Sequence, residues 1–133
     1  MDDIDDEYEE MGAPKSPQVV AQDMIYEAMD MPNGRARKAL TESALKMYPH
    51  LADAWIILAE ETATTPEEAL ECYKKAIGAG EKDLGKQFFK ENEGHFWGMI
   101  ETRPYMRAKI YLAQALWDIG FEDEAINHYK DCL

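Results

Sequence analysis

Apolar residues recur at helical spacing through most of this chain, with polar residues between them. Ser16-Pro17 reads as an N-cap followed by proline at the first helical position. Val20, Met24, Ala28 and Met31 then form a stripe, widened by Ile25, until Pro32-Asn33-Gly34 ends the helix. Asn33 is expected to cap a second helix, striped by Ala36, Leu40, Ala44 and Met47 and stopped by Pro49. A third helix, from about Ala52 to Thr62, carries Trp55, Leu58 and Ala59. Thr65-Pro66-Glu67-Glu68 is a helix start: cap, proline, then acid against the positive end of the helix dipole.

The fourth helix presents Ala69, Tyr73, Ala76 and Ile77 and is predicted to end at Gly78-Ala79-Gly80. Residues 81–93 are predicted as a fifth helix bearing Leu84, Phe88 and Phe89, weakened by Gly85. Gly94 to Glu101, GHFWGMIE, reads as an irregular apolar segment. Thr102 is expected to cap a sixth helix that begins near Pro104, carries Ile110, Leu112, Ala113 and Leu116, and stops at Gly120. Phe121 to Leu133 forms the last, with Ala125, Ile126, Tyr129 and Leu133 on its apolar side. No β-alternation competes, so the expected class is all-α: about seven helices in antiparallel pairs.

Two windows repeat one another. ADAWIILAEETATTPEEALECYKKAI and MRAKIYLAQALWDIGFEDEAINHYKDCL both place a large-small pair on a first helix, Leu58-Ala59 and Leu112-Ala113. The second helix then carries Ala69, Tyr73 and Ala76 in one window, and Ala125, Tyr129 and Cys132 in the other. Small residues let two helices approach closely and the aromatic fills the gap beside them. This pattern resembles the tetratricopeptide repeat, a helix–turn–helix unit. The resemblance covers residues 17–133, with 79–104 as an insertion between units and a degenerate earlier unit over the first two helices. It implies a superhelix of stacked helix pairs. The turn in the first window is two residues short of the repeat's. Residues 52–82 also resemble the suppressor-of-tumorigenicity-7 family, and HFWGMIETRPYMRAKIYLAQALWDIG resembles uncharacterised bacterial and fungal tetratricopeptide proteins with an FWG…ETRPYMRA segment. Those relatives imply a fold without an established chemistry, and they continue past the point where this chain stops.

Length and charge narrow the picture. At 133 residues one domain is expected, over 16–133, preceded by an acidic tail at 1–15. Residues 1–10 hold seven carboxylates and no base, so that block repels itself and reads as disordered. The net charge of −13 disfavours nucleic acid and anionic membrane surfaces as partners. Cys72 and Cys132 sit at apolar helix positions outside any CxxC or Cys/His cluster, so reduced structural thiols are expected and no zinc site. There is no basic-then-apolar leader and no run of apolar residues long enough to span a membrane, which points to a cytoplasmic protein.

Catalytic signals are weak. His95, Arg103 and Arg107 could form an acid/base and anion site near the apolar segment, with Arg103 and Arg107 one turn apart. The competing reading, that the arginines pair with acids such as Glu101, is favoured in so acidic a chain. No P-loop, Rossmann or HExxH pattern occurs, and no cofactor or metal is expected. His50 and His128 are expected on exposed helix surfaces, and most of the methionines as core fillers.

The repeat register implies a concave face lined by Asp53, Ile56, Ile57 and Glu60 from one unit, and by Arg107, Ile110, Tyr111, Gln114 and Asp118 from the other. That mixed surface suits a peptide or helix of a partner protein. The Lys/Asn clamp with which some tetratricopeptide proteins hold a C-terminal carboxylate has no match at Asp53, Ile56, Glu60, Arg107, Ile110 and Gln114. Ile126, Tyr129 and Leu133 form an apolar end face that could pair two copies. The expectation is a non-enzymatic protein-interaction module, with a self-assembling homodimeric subunit as the first alternative and an enzyme or small-anion-binding protein as the second.

Overall fold

A computed structural model describes residues 14–92 and 99–132. Within them the chain is all-helical. The helices are α1 (Pro17–Met29), α2 (Arg35–Met47), α3 (Ala52–Thr62), α4 (Pro66–Leu84), α5 (Lys86–Glu91), α6 (Arg103–Asp118) and α7 (Glu122–Asp131). A 3-10 turn at Ile100–Thr102 leads into α6. The predicted acidic block, the segment around His95, Phe96 and Trp97, and Leu133 lie outside the described residues.

Two helix starts follow directly from local chemistry. The Val19 amide donates to Ser16 Oγ at 3.2 Å, with Pro17 in the first turn, and opens α1. The Glu68 amide donates to Thr65 Oγ1 at 3.1 Å and opens α4. The Glu68 carboxylate reaches back to the amide and hydroxyl of Thr64, at 2.7 and 2.9 Å. The amide bond from Thr64, with smaller help from the hydroxyl, lowers the Glu68 pKa.

Four expectations about the elements need correction. The cap of α2 is Gly34, at φ +149°, where a side chain would be strained, while Asn33 turns its Oδ1 to Arg37. The inward face of α2 is rotated from the expected stripe: Arg37, Thr41 and Ala44 are buried, whereas Ala36 and Met47 are exposed. A buried arginine held by polar partners overrides the apolar pattern here. Helix α4 also runs on through Gly78-Ala79-Gly80 as far as Leu84, so residues 81–84 belong to it and α5 is only six residues long. Gly80 serves contact rather than termination: a Cβ there would stand 3.0–3.1 Å from side-chain atoms of Tyr105 on α6. Gly85, at φ +82°, is the real stop. Finally, Thr102 closes the 3-10 turn by donating to the Met99 carbonyl at 2.9 Å and makes no side-chain cap for α6.

The helices pack in sequence order. α1 lies on α2, α2 on α3, α3 on α4, α4 on α6, and α6 on α7. In addition α1 touches α3, and α3 touches α6. Helices α1, α3 and α6 therefore form one continuous row, flanked by α2, α4 and α7. The core is correspondingly distributed. One cluster joins Ala21, Ile25 and Ala28 of α1 to Ala44 of α2 and Ala54 and Ile57 of α3. A second joins Ala52 and Ile56 of α3 to Ala76 of α4 and Ala108 of α6. A third joins Leu70 of α4 to Leu112, Ala115 and Leu116 of α6 and Ala125 of α7. Each fully buried isoleucine or leucine in these clusters contributes about 1.5–3 kcal/mol of burial, so each helix pair carries its own share of the stability.

Candidate functional site

The row α1–α3–α6 is tied together by one buried acid. Asp53 stands in the first turn of α3 and is fully buried. Arg107 of α6 grips it with two bonds, Nε to Oδ1 at 2.9 Å and a terminal guanidinium nitrogen to Oδ2 at 2.6 Å. Gln22 of α1 donates to the same Oδ2 at 3.2 Å. Burying a lone carboxylate would cost several kcal/mol, and this fork plus amide removes that penalty. The hydrogen bonds that Arg107 donates to Asp53, together with that carboxylate's charge and a bond with Tyr26, raise the Arg107 pKa against the effect of burial.

This arrangement redistributes the residues expected to line a groove. Asp53, Ile56 and Ile57 are buried and offer no surface to a partner. The reason is position: α3 is enclosed by α1 and α2 on one side and by α4 and α6 on the other, so its middle has no open face. Glu60 keeps 40% of its side chain exposed but accepts from Arg37 at 2.8 Å. Arg107 is partly exposed at the edge of its ion pair, and Ile110 is half-buried. Tyr111 is exposed and stacks on Tyr73, ring centres 5.7 Å apart. Gln114 donates to Asp118 at 2.9 Å and accepts from the Tyr129 hydroxyl at 3.2 Å. Tyr73, Tyr111, Gln114 and Asp118 border a shallow cleft of about 210 Å³.

The arginine pair expected to hold an anion is not assembled. Arg107 is committed to Asp53, while Arg103 is exposed at the start of α6. The acid that Arg107 meets is Asp53 rather than Glu101. His95 and Leu133 lie outside the described residues, Ile126 is exposed on α7, and Tyr129 is half-buried. Among the described residues no three His, Cys, Asp or Glu side chains gather as a metal site, and no helix is long and apolar enough to cross a membrane. Cys72 is half-buried and Cys132 buried, and burial pushes the pKa of both thiols up.

Two features were missed by sequence reasoning. The first is the outer face of α1. Val19, Gln22 and Tyr26 lie on it, and with Ile100, Glu101 and Pro104 they line a groove of about 330 Å³. The seven-residue step from Val19 to Tyr26, off the core stripe, was the available signal. The second is Lys109, buried on α6, which donates to Asp131 and to His128 Nδ1, both at 3.0 Å. His128 is therefore a half-buried acceptor and not an exposed surface residue. Burial first, and then the charge of Lys109, lowers its pKa. A lysine inside an apolar stretch gives no hint of its partners when they lie on the next helix.

No protein-family model matches this chain, and no curated protein and no solved structure matches it either.

Proposed function

We propose that the chain is a tetratricopeptide-like interaction module that binds a peptide or helix of a partner protein across its α1–α3–α6 row, on the exposed surfaces of α1 and α6, without catalysis. The observation that carries this reading is the continuous row itself. Helices α1, α3 and α6 touch one after another, and the Gln22–Asp53–Arg107 link holds them in register. A rigid row with exposed aromatics at both ends, Tyr26 and Tyr111, suits a partner segment better than a small substrate. The commitment of Arg107 to Asp53 weakens the anion-binding alternative.

Photo-crosslinking in native lysate tests the reading. A benzophenone amino acid at position 26 or 111 should capture a partner. The same group at Lys74, exposed on α4, should not. Equal capture from all three positions sinks the assignment.

Self-association is the second reading. Trp117, Phe121 and Ile126 expose large apolar surface along the end of α6 and the start of α7. It predicts a concentration-dependent mass in sedimentation equilibrium that Ile126→Ser abolishes.

A further inference from the structure

We infer that the groove beside α1 takes a basic segment of a protein partner, one whose lysines or arginines alternate with apolar side chains. This rests on the interaction-module reading above and names the chemistry of the partner.

The floor of the groove is apolar and open. Val19 is 43% exposed, Tyr26 42% and Ile100 67%, and all three line one cavity. Among the described residues its charged lining is all of one sign: Asp23 from α1, Asp83 from α4 and Glu101 from the 3-10 turn. Asp23 carries one local counter-ion, Lys15, at 3.0 Å. Asp83 accepts from Gln18 at 2.7 Å and from the Tyr48 hydroxyl at 2.6 Å, both through Oδ1. These neutral donors fix the carboxylate without cancelling its charge, and burial together with that bond pushes the Tyr48 hydroxyl up to about 12. Glu101 is exposed beside Ile100. An alkyl or aromatic side chain laid on Ile100 and Val19 would bring a neighbouring ammonium or guanidinium to these carboxylates.

Charge also selects among occupants. The chain's own first ten residues carry seven carboxylates and would be repelled from the groove. A second copy, also at −13, is repelled as well, as are nucleic acids and anionic lipid surfaces. A basic protein segment is the occupant for which floor, rim and long-range field agree. The acidic block ahead of α1 adds to that field and should speed encounter rather than set specificity.

The probe is a short fluorescein-labelled peptide of alternating lysine and leucine, followed by anisotropy on the full chain. Controls replace every lysine by glutamate, or every leucine by serine. The Lys/Leu peptide should bind, and its affinity should fall about tenfold with Glu101→Lys and with Ile100→Ser. Both sites are exposed, so circular dichroism should be unchanged in either variant. Neutralising the carboxylates of residues 2–10 should slow association and leave the preference for Lys/Leu over Glu/Leu intact.

Equal binding of the Glu/Leu or Lys/Ser peptide overturns the inference, as does insensitivity to Glu101→Lys. So does a loss of binding that follows the tail alone. If the peptide fails while crosslinks from position 26 or 111 persist, the partner chemistry is wrong and the module reading stands. If both fail, the module reading falls too.

Discussion

Arg37 and Lys109 are both cations buried at helix junctions, yet the two junctions hold them by different means. At the α1–α2–α3 junction Arg37 uses its whole fork. Nε donates to the Ala28 carbonyl at 2.9 Å, and the terminal nitrogens reach Glu60, Glu61 and Asn33 at 2.8, 3.0 and 3.2 Å. The Glu61 side chain is itself only 6% exposed. Burial pulls the Arg37 pKa down, but the bonds and charges of Glu60 and Glu61 outweigh it and raise the value. At the α6–α7 junction Lys109 has one carboxylate, on the 62%-exposed Asp131, and one imidazole. The difference is one of ligand geometry: a planar fork can be satisfied by fixed acceptors, while a buried ammonium here relies on a neutral histidine that can itself take a proton.

Replacing each cation by methionine should separate the junctions most sharply. Arg37→Met removes the counter-charge of the buried Glu61 carboxylate, leaving it the Gly34 amide at 3.0 Å, and should cost about 3 kcal/mol in urea unfolding. Lys109→Met leaves behind a carboxylate already in water and an uncharged ring, and should cost less than about 1.5 kcal/mol. Equal costs would break the comparison.

The Asp53–Arg107 pair gives the same contrast within a single bridge. Arg107→Met strands a fully buried carboxylate and should cost about 3 kcal/mol, whereas Asp53→Asn leaves a guanidinium that is 34% exposed and should cost about 1–2 kcal/mol. The reverse order would mean that Asp53 reaches water in the folded chain.

The smallest effect is pH dependence. Because the folded His128 pKa lies below the ordinary 6.5, the unfolded chain binds that proton more readily. The stability tied to the neutral ring is complete above about 6.5 and is lost as pH falls through that value toward the folded pKa. The groups facing the ring are Lys109 of α6 and Glu124 and Asp131 of α7. Between about pH 7 and 5, wild type should lose a few degrees of melting temperature more than His128→Gln. Arg37, held by Asn33, Glu60 and Glu61, contributes no imidazole to this change.

The places where sequence reasoning succeeded share a physical basis. Ser16-Pro17 and Thr65-Pro66 act through atoms three residues away, so their meaning is complete within a short window. The stop of α4 is different: the local glycine signal points to Gly78-Ala79-Gly80, yet the helix ends at Gly85, where φ is positive. Gly78 and Gly80 show the limit. They carry the same local signal as Gly85, but the approach of Tyr105 from another helix gives Gly80 a packing role. Ile56 and Ile57 show it again: the repeat register assigned them to an open face, and the enclosure of α3 buried them.

By itself, then, the sequence determined the helical class, most helix starts and the uneven charge, because capping, periodicity and net charge depend on neighbours along the chain. Which polar residues are buried, and with whom, only the tertiary structure decided. Gln22, Asp53 and Arg107 meet across as many as 85 positions, and Arg37 meets Glu61 across 24. Such pairs form only where packed helices exclude water, and the exclusion of water belongs to the assembled fold and not to any stretch of the chain.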